Sequence, residues 1–319
     1  AINPRTVRTR ALPLSPGALT WLGLAVVTFV LSQTSRDLSR ALDARWLVKT
    51  PRELRISMST DISAFMKWLV EDAHFGLFSF TDLTRGIAWL LEQPYELAKA
   101  VLVSGFVQGL GDEAVQLLPP LSWIAVIFVV AAIAHYAKSI GLAVFVGLCF
   151  LYLAVFGQWE SAMVTLASIL IAVPLGVGGG LLLGIAGYRW RWFDRALTPV
   201  LDLMQTVPVF AYLVPILFLF GFGPVAALVA TVIYAMPPMV RITTLALRGV
   251  PSEIREFGTM VGCTSRQMTW RVLVPSAMPS LMVGVNQVIM LSLNMVIIAS
   301  MIGAGGLGYD VLTSLRRLD

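Results

Sequence analysis

The sequence contains few charged residues, few cysteines and few histidines, and each shortage excludes a class of protein. Only 13% of the 319 residues are charged, whereas soluble domains carry about 25% charged residues. The two cysteines, Cys149 and Cys263, provide neither a disulfide framework nor a zinc-type spacing. The two histidines, His74 and His135, lie far apart and match no metal or catalytic pattern. The sequence also contains no G-x-x-x-x-G-K-[ST] phosphate loop, so it gives no sign that this chain hydrolyses ATP.

Long apolar runs are what the sequence has in abundance. Hydrophobic residues make up 57% of the chain, which predicts an all-α, polytopic membrane protein. We divide it into a cytoplasmic tail and first membrane helix at 1–34, a mixed segment at 35–118, and a transmembrane domain at 119–319. A membrane-spanning helix needs about 20 apolar residues. The candidate spans are Gly17–Leu31, Leu121–Tyr136, Ile140–Phe156, Met163–Tyr188, Val207–Phe222, Val225–Met239 and Leu281–Ile302.

The distribution of charge separates segment 35–118 from the rest. That segment holds 9 basic and 11 acidic residues, out of 23 and 18 in the whole chain. Its short apolar stripes, such as the one at 62–69, favour amphipathic helices on the extracytoplasmic membrane surface. A small soluble domain is the alternative, but we find no strand pattern that supports it. The remaining basic residues lie in short loops, which indicates a cytoplasmic location for those loops and no nucleic-acid footprint.

The most informative stretch, residues 252–279, is polar and lies between two apolar runs. Within it, Gly262 lies six residues after Glu256, and Val272 is followed closely by Val274 and Pro275. The apolar periodicity predicts two short helices, with Ser252 as N-cap of the first and Gly262 at its end. The sequence therefore predicts a helix-turn-helix that projects from the membrane on the arginine-rich side.

This spacing resembles the EAA loop of bacterial ABC-importer permeases, in which Phe257 and Gly258 here replace two alanines. The resemblance implies a type I ABC-importer permease fold, with a coupling loop at 240–279 that docks on a separate ATPase. The coupling residues that it implies are Glu256, Phe257, Gly258, Gly262, Ser265, Arg266, Val272 and Pro275.

From Leu201 onward the sequence is similar to the glycine betaine/proline betaine branch of these permeases, over stretches 202–223, 233–251 and 278–308. The resemblance implies a multi-pass protein of the bacterial inner membrane. It implies a homodimer with cytoplasmic ATPase subunits and an extracytoplasmic binding protein. ATP and Mg would be bound by the ATPase, with no cofactor or metal in this chain. Members of this branch carry a further membrane helix after the glycine-rich segment, so we expect a longer polypeptide.

Polar residues in the last apolar run are the candidates for the translocation pathway, because an unpaired polar group in lipid is costly. Asn286 and Asn294 are eight residues apart and share a helix face, with Gln287 close by. Interhelical hydrogen bonding for packing is the alternative reading. Tyr212 and Phe210 fit either the pathway or the core.

The glycine-rich end of the sequence formally matches G-x-G-x-x-G at residues 303–308. A dinucleotide site needs a preceding strand, whereas an apolar helix precedes this segment. We therefore predict a flexible outer gate, formed by Gly303, Gly305, Gly306 and Gly308.

Three other functions compete with an importer for a compatible solute such as glycine betaine, proline betaine, choline or trimethylamine N-oxide. A methionine-type ABC permease shares the glycine-rich ending. A secondary transporter would require ionisable residues within the spans, and the apolar runs hold essentially none. A structural membrane subunit is the third alternative.

Overall fold

The computed structural model describes residues 16–41, 58–72, 79–108 and 115–317, and most of them are helical. The chain divides into two compact units, Ala1–Phe65 and Met66–Asp319. In the first unit, helix α1 spans Pro16–Ala41 and contains the predicted span Gly17–Leu31. The continuous apolar part of α1, Thr20–Ser35, falls among the shorter apolar helices of 10–17 residues. The basic tail before it, with Arg5, Arg8 and Arg10, lies outside the described residues.

The described residues of segment 35–118 are mostly helical, as expected, but the helices are longer than the sequence suggested. Helix α2 spans Met58–Glu71 and α3 spans Phe80–Lys99. Helix α3 begins with a capping box between Ser79 and Asp82, which satisfies two of the free N–H groups of the first turn. It then runs through Pro94 and continues as a π-helical segment, Ala100–Ser104. Pro94 therefore does not end the helix, and the chain turns only at Gly105, where φ is +73°.

A two-stranded antiparallel sheet follows α3. Strand β1, Phe106–Gln108, pairs with β2, Val115–Leu118, and Gln108 lies opposite Val115. We predicted no strands here. Strands of three and four residues are too short to show the alternation on which such a prediction depends.

The remaining helices belong to the second unit. Their bounds are α4 Trp123–Ala137, α5 Ile140–Val155, α6 Trp159–Arg189, α7 Arg191–Thr206, α8 Val209–Phe220, α9 Pro224–Arg248, α10 Ser252–Met260, α11 Ser265–Gln267, α12 Val274–Ser276, α13 Met278–Ala299 and α14 Leu307–Arg316. Two further segments are π-helical, Met268–Leu273 and Ser300–Ala304. Among the described residues, α6, α9 and α13 are long and apolar enough to cross a membrane, and α7 with α8 adds a fourth candidate bent by 107°.

Two predicted boundaries are wrong. The stretch after Arg189, expected to be a basic loop, forms the amphipathic helix α7. Its packed side carries Phe193, Leu197 and Leu201 at helical spacing, whereas Trp192 and Arg195 are exposed. The coupling loop, expected to begin at 240, begins after α9 ends at Arg248. Pro237 and Pro238 lie inside α9 without ending it.

Close approach of α6 to α9 and α13 forms the centre of the transmembrane part. A Cβ atom at Gly180 would lie 2.6 Å from Cβ of Met239, and one at Gly184 would lie 2.8 Å from the carbonyl oxygen of Val240. Glycine alone permits this backbone separation, as expected for small-residue packing between membrane helices. Across the interface, the Thr244 hydroxyl donates to the carbonyl of Gly184 over 3.0 Å. From Gly176, Gly178, Gly179, Gly180 and Gly184 the sequence predicts small-residue packing of this span against its neighbours, and the structure confirms it at Gly180 and Gly184.

Not every predicted packing glycine has this role. A Cβ at Gly178 would meet no atom within 4 Å. Gly187, which we did not predict, lies on the packed face, where a Cβ would come 3.2 Å from the Thr244 hydroxyl oxygen. The packed face of α6 carries a glycine at every fourth position, at 176, 180 and 184. Gly178 lies outside this face.

Replacing Gly184 by alanine should destabilise the fold, whereas the same change at Gly178 should not. The methyl group at 184 would press on the backbone of α9, and such overpacking typically costs about 1–3 kcal/mol. At 178 the methyl group meets open space, and helix propensity favours alanine by about 1 kcal/mol. Thermal unfolding of the two purified variants in detergent measures the difference. Equal stabilities for Gly184→Ala and Gly178→Ala would contradict the packing described above.

Candidate functional site

The segment between α9 and α13 folds as a helix-turn-helix. Helix α10 ends at Met260, and Gly262 follows it with φ of +79°, a conformation that glycine adopts at little cost. The Cys263 N–H donates to the carbonyl of Gly258 over 3.0 Å and closes the turn. A capping box between Thr264 and Gln267 then starts the second helical arm. The predicted stop at Gly262 agrees with the structure, but the N-cap is Pro251 and not Ser252.

The two arms pack closely because Gly258 has no side chain. A Cβ at this position would lie 2.6 Å from Cε of Met268 and 3.6 Å from Cγ2 of Val272. Leu273 and Val274 are buried beneath them, whereas Pro275 is exposed in the first turn of α12. The structure therefore brings Gly258 and Val272, two of the predicted coupling residues, into one small core.

The other predicted coupling residues lie on the outer surface of this helix-turn-helix. Glu256, Gly262, Ser265 and Arg266 are exposed. Three apolar side chains beside them are also exposed, Phe257 by 63%, Met260 by 79% and Val261 by 66%. We call these three residues the apolar tip. Contiguous apolar surface of this kind usually marks a contact site for another protein or a membrane.

Arg255 joins the helix-turn-helix to the end of α9. Its Nη2 donates to the carbonyl oxygens of Leu247 over 3.1 Å and Arg248 over 2.7 Å. These carbonyls belong to the last turn of a helix, where no intrahelical donor remains and where a positive charge is favoured. The sequence predicted only that the arginines of this segment lie on the cytoplasmic side. The bond from Arg255 to α9 was not predicted, and the only sequence feature that points to it is a basic residue seven or eight positions after the end of a helix.

Two ion pairs join α7 to the same part of α9. Arg248 Nη2 lies 2.8 Å from Asp194 Oδ2, and Arg241 pairs with Asp202. The partners are spaced by seven residues on α9 and eight on α7, two helical turns on each. The order of the pairs shows that the two helices run in opposite directions along this contact. We did not predict these pairs, because partners 54 and 39 residues apart leave no local pattern.

The three predicted pathway amides share one face of α13, and no other described residue covers that face. Asn286, Gln287 and Asn294 are exposed, whereas Gly284 and Val288 on the opposite side are buried. The structure thus brings the predicted amides together.

Ser292, which lies near these amides in the sequence, belongs to the buried side of α13. It is fully buried, and its hydroxyl has no hydrogen-bond partner among the described residues. It therefore does not share the exposed face of the amides.

Tyr212, the fourth predicted pathway residue, lies elsewhere. It is buried in a core cluster formed by α8, α9 and α13. Its hydroxyl donates to the carbonyl of Met204, and its ring meets Tyr234 edge-on with 5.7 Å between centroids. These contacts close the corner between α7 and α8 and favour a packing role. Phe210 is exposed.

The predicted outer-gate glycines lie in and beside the turn between α13 and α14. Gly303, Gly305 and Gly306 have φ of +111°, +73° and +87°, which an L-residue adopts only with strain. A Cβ at Gly308 would collide with the backbone of Ile297. The Leu307 N–H donates to the Thr165 hydroxyl of α6 over 3.1 Å. The turn contacts α6 and α13, and its role as an outer gate stays a prediction.

No metal centre emerges from the described residues, because no three His, Cys, Asp or Glu side chains gather there in a way that could hold an ion.

Comparison with known proteins identifies the family. Residues 176–319 match the model of the family described as binding-protein-dependent transport system inner membrane component. The chain is 38% identical over 278 residues to the glycine betaine/proline betaine transport system permease protein ProW of Escherichia coli, covering 86% of this chain and 75% of that protein. This chain belongs to that permease family. The glycine betaine transport system permease protein OpuAB of Bacillus subtilis is 36% identical over 264 residues, covering 83% of this chain and 86% of that protein.

Some relatives are much longer than this chain. The trimethylamine N-oxide transport system permease protein TmoV of Ruegeria pomeroyi is 36% identical over 295 residues, which are 92% of this chain but 43% of that protein. The match to TmoV of Pelagibacter ubique covers 28% of that protein. Among solved structures, the MetNI methionine ABC transporter in inward-facing form aligns with a TM-score of 0.43 at 23% identity, covering 52% of this chain and 88% of that one.

The family match and the helical structure together confirm two predictions. The fold class is a polytopic α-helical membrane protein of the ABC-importer permease type. Its location is the inner membrane, crossed more than once.

Removing the Arg255 anchor should loosen the helix-turn-helix without unfolding the membrane helices. In Arg255→Gln the last-turn carbonyls of α9 lose their donors, and a hydrogen bond to a charged group contributes about 1.5–3 kcal/mol. Hydrogen exchange should therefore quicken over residues 249–276 and stay unchanged in α6. The matched control is Arg271→Gln, since Arg271 is exposed and has no ion pair with any described residue. Equal exchange in both variants would show that Arg255 is not an anchor.

Proposed function

We propose that this chain is the permease subunit of an ATP-driven importer for a compatible solute, such as glycine betaine, proline betaine, choline or trimethylamine N-oxide. The names of its relatives support this substrate class, since they include glycine betaine, proline betaine, carnitine and trimethylamine N-oxide transport permeases. The observation that carries the transport role is the apolar tip on an anchored helix-turn-helix. A methionine-type permease remains the alternative within the same family.

The energy for transport would come from a partner ATPase that binds ATP and Mg. The 319 residues contain no phosphate loop. The apolar tip, together with Glu256 and Arg266, offers that partner an apolar centre with a charged rim, as is common in protein interfaces. We assign this surface to the ATPase contact.

Movement of the ATPase would reach the membrane along two connections. On one side, Arg255 holds α10 to the end of α9. On the other, the arm from Ser265 leads through α12 directly into α13, with one residue between them. Helices α9 and α13 pack on each other through Gly284 and Met239, so a push on the tip would displace both. Such rigid-body displacement would switch the pathway between outward- and inward-open states.

The pathway itself would lie along the exposed amides of α13. Asn286, Gln287 and Asn294 supply neutral dipoles to a small polar solute without holding it tightly, which suits a route that must release its cargo. A second permease copy would complete the pathway, and an extracytoplasmic binding protein would deliver the solute. A secondary transporter needs ionisable groups within the spans, but Arg241 and Arg248 at the end of α9 are already paired with aspartates.

Replacing Phe257 by serine should remove the ATPase from the purified complex. Loss of a large exposed aromatic from an interface centre typically costs about 2 kcal/mol or more, about 30-fold in affinity. The matched control is Phe222→Ser, because Phe222 is 81% exposed in the turn between α8 and α9. Both tagged variants are isolated from membranes of the source organism, and bound proteins with a phosphate-loop sequence are quantified by mass spectrometry. Full ATPase recovery with Phe257→Ser would refute the proposed contact.

Uptake into vesicles that contain the complete assembly tests the substrate class. Labelled glycine betaine should be taken up in an ATP-dependent manner, and excess trimethylamine N-oxide or proline betaine should compete while methionine should not. The double variant Asn286→Leu, Asn294→Leu should lower uptake by about tenfold or more, with ATPase recovery unchanged. If methionine is the only compound that competes, the chain is a methionine-type permease. Uptake that needs no ATP would refute the proposal of an ATP-driven importer.

A further inference from the structure

A basic pocket lies where α7 begins and α9 ends. Its lining consists of Arg191, Asp194 and Arg195 from α7 and Arg248 from α9, and its volume is about 400 Å³. That volume falls within the range of about 300–1,000 Å³ common for small-molecule sites. Neither the helix-turn-helix nor the amide face of α13 includes any of these residues.

The pocket carries an excess of positive charge that the protein does not neutralise. Its one carboxylate, on Asp194, pairs with Arg248 at 2.8 Å. Arg191 and Arg195 are exposed and have no ion pair or hydrogen-bonded acid among the described residues. With three arginines against one aspartate, the pocket holds a formal charge of +2. Two guanidinium groups are thus available for an anion, and guanidinium suits the planar, bidentate recognition of phosphate.

The beginning of α7 adds a second source of positive potential. This helix has 16 residues, and its N-cap, Trp190, makes no side-chain capping bond. The first N–H groups of a helix have no intrahelical acceptor, and together with the helix dipole they favour an anion. Arg191, the first residue of α7, lines the pocket, so the beginning of this helix lies at its edge.

The surroundings indicate that the anion belongs to a lipid. The pocket is level with the ends of two apolar helices, since α6 ends at Arg189 and α9 at Arg248. Trp190 and Trp192 beside it are 49% and 69% exposed, and tryptophan is enriched at the depth of the lipid headgroups. Val200 and Leu203, farther along α7, are also exposed and offer an apolar surface for acyl chains.

We propose that this pocket binds the phosphate headgroup of an anionic phospholipid. Arg191 and Arg195 contact the phosphate oxygens, and Arg248 keeps its bond to Asp194 and adds its charge. Basic pockets beside membrane helices bind such headgroups by this chemistry. The ion pair of Arg248 with Asp194 also joins the pocket to the end of α9. The lipid site does not depend on the proposed transport role, because it rests on this pocket alone.

Native mass spectrometry of the purified full chain in detergent tests the proposal, with phosphatidylglycerol and phosphatidylethanolamine of equal acyl length as probes. The wild-type chain should prefer phosphatidylglycerol by about tenfold or more. The double variant Arg191→Gln, Arg195→Gln should lose this preference, and the single variant Arg195→Gln should lose part of it. The control Arg316→Gln, Arg317→Gln removes the same charge from an exposed pair in α14 and the residue after it, and should behave as wild type.

Millimolar inorganic phosphate, added without lipid and then in competition, separates a lipid site from a soluble-anion site. The proposal is overturned if both lipids bind equally, if the double variant keeps the preference, or if phosphate alone binds and displaces the lipid. If the double variant keeps its lipid but loses a bound ATPase, the pocket is a docking site for a protein, and the lipid proposal is overturned as well. If the double variant does not fold, the lipid preference of the single variant Arg195→Gln is compared with that of Arg317→Gln. Only Arg195→Gln should then show a reduced preference for phosphatidylglycerol.

Discussion

The structure depends on how closely α6 approaches α9. Glycines at 180 and 184 let the two backbones come near enough that a single methyl group would collide with Met239 or Val240. Without water to drive membrane helices together, contact of this kind supplies much of their association. Helix α9 is consequently fixed against α6 along one side, and Gly284 of α13 meets it at Met239. A displacement of the end of α9 would therefore also displace α6 and α13.

Several charged contacts lie at that end. Arg241 and Arg248 pair with two aspartates of α7, and Arg255 reaches back from α10 to the last carbonyls of α9. Surface ion pairs contribute little to stability, about 0–1 kcal/mol each, so their main effect here is to position the helices. The two ion pairs hold the amphipathic helix α7 against the end of α9, and the Arg255 bonds hold the helix-turn-helix against the same end. The basic pocket shares Arg248 and Asp194 with this junction, so the lipid surface and the projecting element meet at the same residues.

Sequence patterns predicted the helical class and the elements that depend on local signals. Long apolar runs located α6 and α13 closely, and the stop at Gly262 followed from a residue suited to positive φ. The ion pairs of α7 were not predictable, because their partners are distant in sequence. Helix α7 itself was not predicted, because its arginines were assigned to a short loop and not to one face of a helix. The hydrogen bond from the Leu307 N–H to Thr165, beside the predicted gate glycines, was not predictable either, because its partners are 142 residues apart.

The central claim is that the turn at residues 261–264 faces the cytoplasm and contacts an ATPase. Cys263 lies in this turn and is partly exposed, and after Cys149→Ala it is the single cysteine of the 319 residues. A photo-activated cross-linker attached to Cys263 in the assembled complex tests the contact directly. The account predicts a covalent adduct with a protein that carries a phosphate loop, and no labelling of Cys263 by an impermeant thiol reagent outside intact cells. Labelling from outside, or an assembled complex with no such adduct, would contradict it.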